Sequence, residues 1–264
     1  MSTKQTIVLI HGLWMTPTSW DTWAERFRAQ GHTVIVPGWP GIDDRTVADI
    51  RRDPSNLAGI GITQIVDHYA SIIEALPEKP IIMGHSFGGL FAQLLADRGL
   101  GSAFVGVTPG QPAGIPVLPG STLRSGLPVL SNPFNKNGVL PISKAHFHYT
   151  FGNDLTRAES DVNWERNAVP SYNRVFFEGA LAALSEKGVS HVDFAKPDRA
   201  PLLIITGDID HVVPPKIGEA IVKKYSSGVV DYKTFAGRTH RIVSQKGWEE
   251  VADYALDWAV SHSN

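Results

Sequence analysis

The five residues Gly84-His85-Ser86-Phe87-Gly88 form a G-x-S-x-G pattern, and a further glycine follows at Gly89. A serine on a sharp strand-to-helix turn exposes its hydroxyl for nucleophilic attack, and the flanking glycines let the backbones approach closely. The helix that follows directs its N–H groups and the positive end of its dipole at the reacting centre, which suits a developing oxyanion. The glycine patterns of phosphate-binding loops do not occur in the chain. The pattern therefore predicts nucleophilic catalysis by Ser86.

This pattern lies between a predicted strand and a predicted helix, and the same alternation extends along most of the chain. Short apolar runs predict strands at residues 6–10, 33–36, 80–83, 103–107, 202–206 and 229–235. Helical spacing of apolar residues is clearest around 20–27, 65–76, 87–95, 142–190, 215–226 and 248–258. Alternating strands and helices are typical of a parallel sheet covered by helices. The predicted fold class is α/β, with a mostly parallel central sheet flanked by helices.

The alternation stops between residues 109 and 141, where seven of the 18 prolines occur with five interspersed glycines. So many prolines and glycines predict that this region lacks regular elements. We therefore expect one catalytic domain, residues 1–109 and 199–264, interrupted by a helical and irregular lid at residues 110–198. Irregular insertions of this kind often cover functional sites.

Composition excludes several classes of protein. The 264 residues include no Cys, which rules out disulfides, thiolate metal sites and a cysteine nucleophile. The 24 Lys and Arg residues against 26 Asp and Glu give a net charge of −2, which does not favour nucleic acid or an anionic membrane as a partner. The start of the chain lacks a signal-peptide layout, and no apolar run approaches the ~20 residues that span a bilayer. We expect a cytoplasmic protein.

The sequence resembles the α/β-hydrolase fold family, specifically its small, lidded members that use no cofactor. The resemblance rests on four features in the expected order: His11-Gly12 after the first strand, the turn at Ser86, a Gly-x-x-Asp-x-x-x-Pro loop after a late strand, and a histidine before the last helix. It covers nearly the whole chain apart from the predicted lid. It implies a catalytic triad in the order Ser, Asp, His, with no cofactor or metal.

The resemblance also implies the base and the acid. His240 lies in the predicted loop between the last strand and the last helix, where the family has its base. The spacing of the loop from Gly207 to Pro214 selects Asp210 as the acid. Asp208 remains the alternative; if Asp210 is the acid, Asp208 becomes a turn-forming residue that accepts backbone hydrogen bonds.

An oxyanion hole needs two backbone donors. One is expected from the N–H of Phe87, directly after the nucleophile, and the resemblance implies that Leu13 supplies the other. Trp14 lies next to Leu13 in sequence and is a candidate for the wall of the same pocket. His11 is expected to hold this loop by hydrogen bonding and not to take part in proton transfer.

Further candidates for the substrate pocket are His85 and two residues of the predicted lid, Phe147 and His148. A His-x-His pair such as His146 and His148 could also bind a metal ion, but no third ligand at suitable spacing stands out. Packing around a substrate is therefore the favoured role for this aromatic cluster.

The resemblance implies a serine hydrolase that cleaves a small-molecule carboxylic ester or lactone through an acyl-enzyme. Because the predicted lid is rich in aromatic residues, we expect an apolar or aromatic substrate. The same triad also supports carbon–carbon bond hydrolysis, perhydrolysis or haloperoxidase-like chemistry, and hydroxynitrile cleavage. The last of these relies on a lid lysine, for which Lys136 and Lys144 are candidates. A receptor-like protein that binds a ligand without turnover is the alternative outside catalysis.

Overall fold

The central feature of the fold is a parallel sheet. The computed structural model describes residues 4–42, 45–182 and 185–263. Eight strands lie in these ranges: β1 (Thr6–Ile10), β2 (Thr33–Ile35), β3 (Ile81–His85), β4 (Ala103–Val107), β5 (Val139–Leu140), β6 (Ser171–Tyr172), β7 (Leu202–Gly207) and β8 (Val230–Phe235). Six form one sheet in the order β2-β1-β3-β4-β7-β8, and β5 pairs with β6 separately. Every pairing in the larger sheet is parallel, so the predicted α/β class is confirmed.

Ten α-helices lie in the same described ranges: α1 (Asp21–Ala29), α2 (Val47–Arg52), α3 (Ile62–Glu74), α4 (Phe87–Asp97), α5 (Gly120–Leu130), α6 (Lys144–Thr150), α7 (Arg157–Asn167), α8 (Asn173–Ala182), α9 (Pro215–Lys224) and α10 (Trp248–His262). Successive strand residues point to opposite faces of the sheet. Leu9 and Met83 pack with α1 and α10 on one face. Val8 and Ile82 pack with α3, α4 and α9 on the other. Both faces are thus covered, as a parallel sheet requires.

The chain leaves the sheet after β4 and returns at β7, and residues 108–201 carry α5 to α8 and the small sheet. The prediction that residues 109–141 lack regular elements is wrong, because α5 and β5 lie there. α5 contains Pro128 in its last turn; the proline lacks one backbone N–H donor, and the helix ends two residues later. The Ser131 N–H still donates to the Leu127 carbonyl at 2.9 Å.

The division into a catalytic domain and a lid at residues 110–198 stays a prediction, and so does the cytoplasmic location. No helix within the described ranges is both long and apolar enough to cross a membrane. Positions 183 and 184 of the predicted helical region lie outside the described residues.

The start of α4 packs directly against the end of β1. A Cβ added at Gly88 would overlap the carbonyl oxygens of Ile10 and His11, and one added at Gly84 would overlap the Gly88 carbonyl. These backbones therefore approach one another without intervening side chains. The glycines at these two positions allow the turn between β3 and α4 to sit on the sheet.

Because this approach leaves no room for a methyl group, Gly88→Ala should lower the free energy of unfolding by about 3 kcal/mol. The matched control is Gly120→Ala at the start of α5, where an added Cβ meets nothing within 4 Å. We expect the free energy of unfolding of the control to lie within about 1 kcal/mol of the parent value. Urea titration followed by tryptophan fluorescence measures both, and equal stabilities of the two variants would contradict the close packing.

Candidate active site

Ser86 lies between β3 and α4 in a backbone conformation that residues with side chains rarely adopt. Its φ of 56° and ψ of −121° place it outside the ordinary strand and helix regions. Its N–H donates to the Val107 carbonyl at 3.0 Å, and the N–H of Gly110 donates to its carbonyl at 2.9 Å. The side chain is thereby held above the carboxyl edge of the sheet, the geometry expected of the G-x-S-x-G pattern.

The structure brings His240 and Asp210 to Ser86 from the loops after β8 and β7. His240 Nε2 lies 2.9 Å from Ser86 Oγ, and His240 Nδ1 lies 2.8 Å from Asp210 Oδ2. All three residues are buried. Because a carboxylate only accepts hydrogen bonds, Nδ1 carries the proton and Nε2 is free to accept from the serine hydroxyl. The three side chains form one continuous hydrogen-bonded chain.

The two candidate acids occupy different places. The second oxygen of Asp210, Oδ1, accepts from the N–H groups of Val212 and Val213 at 2.7 and 2.9 Å, which fixes the carboxylate toward His240. Asp208 Oδ1 instead accepts from the N–H groups of Gly237 and Arg238 at 2.6 and 3.3 Å. Asp208 therefore holds the start of the loop that carries His240. Of the two carboxylates, Asp210 is the one that contacts the imidazole.

His85 lies behind His240 and holds its backbone. The Nε2–H of His85 donates to the His240 carbonyl at 2.8 Å, and the two rings are 4.8 Å apart. Burial, together with the neighbouring His240, holds the pKa of His85 well below its usual range. His85 is therefore a neutral residue that supports the backbone of His240. The sequence predicts His85 in the substrate pocket, but it is not among the described residues that line the cavity at Ser86, because tertiary packing turns it toward the His240 carbonyl.

His11 is buried in the loop after β1, where its two ring nitrogens have separate partners. Nδ1 donates to the Gly12 carbonyl at 2.9 Å, and Nε2 accepts from the Trp39 N–H at 3.2 Å. Burial lowers the pKa of His11 to about 4. The neutral ring, stacked on Trp39 with 5.0 Å between centroids, fixes the loop as the sequence predicts.

The two expected oxyanion donors, Leu13 and Phe87, both lie beside Ser86 at one cavity. Phe87 is the first residue of α4, so its N–H has no acceptor inside the helix. Leu13 follows Gly12, where an added Cβ would lie 2.9 Å from the Ser86 Cβ. Leu13, Phe87 and Ser86 all line one cavity. The two backbones thus border the place where a bound carbonyl would meet the serine hydroxyl.

A cavity of about 370 Å³ opens at Ser86, and its wall is mostly apolar. From the sheet and its loops come Leu13, Trp14, Phe87, Leu90, Val212, Val213 and Ile217. From residues 108–201 come Leu118, Thr122, Leu123, Leu130, Phe176, Phe177 and Ala180, among others. This size is typical of small-molecule sites. The sequence predicts Trp14 as a residue of this wall, and Phe176 and Phe177 as aromatic residues of the insertion; the other side chains converge only through tertiary structure.

Phe147 and His148 do not lie among the described residues that line this cavity, contrary to expectation. Phe147 is fully buried against Phe151, with 5.1 Å between ring centroids. With His85 it lines a smaller, separate cavity of about 100 Å³. His146 Nε2 lies 2.7 Å from the Ser125 carbonyl, and no group of three or more His, Asp or Glu within the described ranges could hold a metal ion.

Residues 7–254 match the sequence model of the alpha/beta hydrolase family, and the chain belongs to that family. It is similar to a monoacylglycerol lipase of Mycolicibacterium smegmatis, with 24% identity over 276 residues that cover 97% of this chain and 88% of the relative.

Two solved structures show the same fold. The monoacylglycerol lipase of Paleococcus ferrophilus aligns with a TM-score of 0.69 at 20% identity, covering 100% of this chain and 97% of its own. An extracellular α/β-hydrolase of a Paenibacillus species, reported to be homologous to Tobacco Salicylic Acid Binding Protein 2, also aligns with a TM-score of 0.69 at 20% identity. That alignment covers 97% of this chain and 98% of the other.

The environment of His11 predicts a pH dependence of stability. An unfolded chain protonates histidine near ~6.5, whereas the folded protein keeps His11 neutral down to about 4. The unfolded state therefore binds more protons between these values, and stability falls as pH is lowered through this window. The loss attributable to His11 should be about 2 kcal/mol between pH 7 and pH 5.

His11→Gln removes the titrating group, so its unfolding free energy should fall by about 2 kcal/mol less than that of the parent over the same interval. Urea unfolding at the two pH values measures the difference. Other groups, including His85, contribute equally to both proteins and cancel. An identical pH dependence in parent and variant would show that His11 is not held neutral by the fold.

Proposed function

We propose that this chain is a serine ester hydrolase with Ser86 as nucleophile, His240 as base and Asp210 as acid. The observation that carries the proposal is the chain of two hydrogen bonds, 2.9 and 2.8 Å long, that links the three side chains at the end of an apolar cavity. The monoacylglycerol lipases to which the chain is similar support ester cleavage as the reaction.

The first half of the reaction forms an acyl-enzyme. Ser86 Oγ attacks the carbonyl carbon of the ester while its proton moves to His240 Nε2. The carboxylate of Asp210 stabilises the imidazolium that results. The N–H groups of Leu13 and Phe87 donate to the oxyanion of the tetrahedral intermediate. The carbon–oxygen bond to the alcohol then breaks, and the departing oxygen takes the proton from Nε2.

Hydrolysis of the acyl-enzyme repeats these steps with water as nucleophile. His240 Nε2 takes a proton from water as its oxygen attacks the acyl carbon. The intermediate collapses, Ser86 Oγ regains the proton from the imidazolium, and the carboxylic acid leaves. No other group is needed to balance the reaction, which accords with the cofactor-free members that the sequence resembles.

The substrate class follows from the cavity wall. Ser86, Gln111 and Thr122 supply its hydroxyl and amide groups, and the Thr122 hydroxyl already donates to the Val212 carbonyl. A wall with so few free polar groups favours an ester or lactone whose larger part is apolar or aromatic. We propose that residues 110–198 form the lid that covers this part, because α5 and α8 supply much of the wall.

The alternatives on the same triad have less support. Lys144 pairs with Glu165 at 2.8 Å, and neither Lys144 nor Lys136 is among the described residues that line the Ser86 cavity. The hydroxynitrile-lyase alternative therefore lacks its lysine. A receptor without turnover is disfavoured because the hydrogen-bonded chain from Ser86 to Asp210 is complete.

The two candidate acids provide a matched test. Asp210→Asn removes the carboxylate at His240 and should lower kcat/KM for p-nitrophenyl butyrate by about 10⁴-fold. Asp208→Asn keeps a carbonyl that can accept from Gly237 and should lower it by less than about tenfold. Ser86→Ala gives the background rate of hydrolysis and should lose labelling by a fluorophosphonate. Absence of both esterase activity and labelling in the parent protein would overturn the proposal.

The apolar wall predicts that kcat/KM depends on the length of the acyl chain, and two substitutions in α5 test this. Leu130→Trp places extra bulk in the cavity and should lower kcat/KM for p-nitrophenyl decanoate relative to the acetate by about tenfold or more. Leu127→Trp on the same helix is the control, because Leu127 is 61% exposed. In this control the ratio of kcat/KM for the decanoate to kcat/KM for the acetate should stay at the parent value. An unchanged ratio in Leu130→Trp would mean that the acyl chain binds elsewhere.

A further inference from the structure

The segment of residues 149–154, which runs from the end of α6 into the loop before α7, contacts both loops that carry the proposed base and acid. On the acid side, the Asn153 side-chain amide donates to the Ile209 carbonyl at 2.9 Å. His211 Nδ1 donates to the Tyr149 carbonyl at 2.9 Å, and the two rings stack 4.7 Å apart. These contacts hold the residues on either side of Asp210.

On the base side, the segment contacts His240 and the residue that follows it. Arg241 Nη2 donates to Asp154 Oδ2 at 2.7 Å, with the two side chains 9% and 18% exposed. Arg241 Nη1 donates to the Ser244 carbonyl at 3.0 Å, inside the same loop. The ring of Phe151 lies 5.2 Å from that of His240. One short segment thus reaches both partners of the imidazole–carboxylate pair.

Helix α5 adds contacts of the same kind to the acid loop. The Thr122 hydroxyl donates to the Val212 carbonyl at 2.8 Å, and the Ser125 hydroxyl donates to the His211 carbonyl at 3.3 Å. The loop after β7 therefore makes four hydrogen bonds to residues 108–201. Three are donated by the side chains of Thr122, Ser125 and Asn153, and one is accepted by the Tyr149 carbonyl. The loop after β8 is joined to residues 108–201 by the ion pair between Arg241 and Asp154.

The ion pair is the contact whose loss should matter most. A buried charge without its partner is strongly unfavourable. Removal of the Asp154 carboxylate would therefore favour conformations in which the Arg241 guanidinium bonds to water or to another acceptor. Because Arg241 follows His240 in the chain, we expect a change in the contacts of Arg241 to alter the backbone that places the imidazole. Small displacements of a catalytic group lower the rate of reaction far more than they weaken binding.

We propose that Asp154 and Asn153 are positioning residues, which set the placement of His240 relative to Asp210 from the segment that precedes α7. The proposal rests on the proposed function of the triad. It assigns residues 149–154 a role in the chemistry of the site, although none of them is among the described residues that line the cavity at Ser86.

The test compares Asp154→Asn with Glu165→Gln. Glu165 is an acidic residue of the same insertion that pairs with Arg51 and Lys144, away from the catalytic loops. Active-site titration with a fluorophosphonate gives the number of competent sites, so that kcat refers to folded enzyme. We expect Asp154→Asn to lower kcat for p-nitrophenyl butyrate by about tenfold or more, with KM within twofold of the parent value. Glu165→Gln should leave both unchanged.

Two further measurements separate positioning from simple anchoring. The downfield proton resonance of His240 Nδ1–H should shift or broaden in Asp154→Asn and in Asn153→Ala but not in Glu165→Gln. Asp154→Glu, which restores the carboxylate, should recover part of kcat. Parent-like kcat and resonance in Asp154→Asn, or a loss explained entirely by fewer titratable sites, would overturn the proposal. A parent protein that neither hydrolyses esters nor reacts with the fluorophosphonate would instead overturn the function on which it rests.

Discussion

The backbone of Ser86 has a φ of 56°, and the contacts of the site depend on that conformation being held. A non-glycine residue in such a region costs about 1–3 kcal/mol and persists only where its surroundings over-determine it. Here Gly84 and Gly88 let β1, β3 and α4 meet backbone to backbone, and β4 supplies the acceptor for the Ser86 N–H. The proposed nucleophile is therefore fixed by the sheet itself. Its partners need only be brought to the same edge.

The buried imidazoles around the site have a common electrostatic property. His85 lies 4.8 Å from His240, ring to ring, and burial keeps it neutral, as it does His11. In the proposed reaction a positive charge forms on His240, and a second cation at His85 would oppose it. The neutral form of His85 also leaves its Nε2–H to hold the His240 carbonyl. His85 thus holds the backbone of the proposed base without adding a second positive charge beside it.

Features with a local signal could be predicted from the sequence. The turn at Ser86 has a distinctive residue pattern, and most strands of the main sheet are short apolar runs, so these features lie where the pattern places them. The position of Phe147 or His85 depends instead on packing between distant elements, for which the sequence has no periodic signal. The pairing of Arg241 with Asp154 joins residues of unremarkable context for the same reason. Proline content predicts irregular structure where α5 lies, but the one proline inside this helix, Pro128, is in its last turn.

The order of the strands along the chain also bears on when reactivity could appear. Residues 108–201 separate β4 from β7, its neighbour in the sheet, and the loops with Asp210 and His240 follow β7 and β8. During synthesis, which proceeds from the N-terminus at about 5–20 residues per second, the β3–α4 turn emerges well before these loops. A nascent chain would thus expose the Ser86 hydroxyl before the imidazole that we propose as its base. Appearance of esterase activity would then report that the last two strands have joined the sheet.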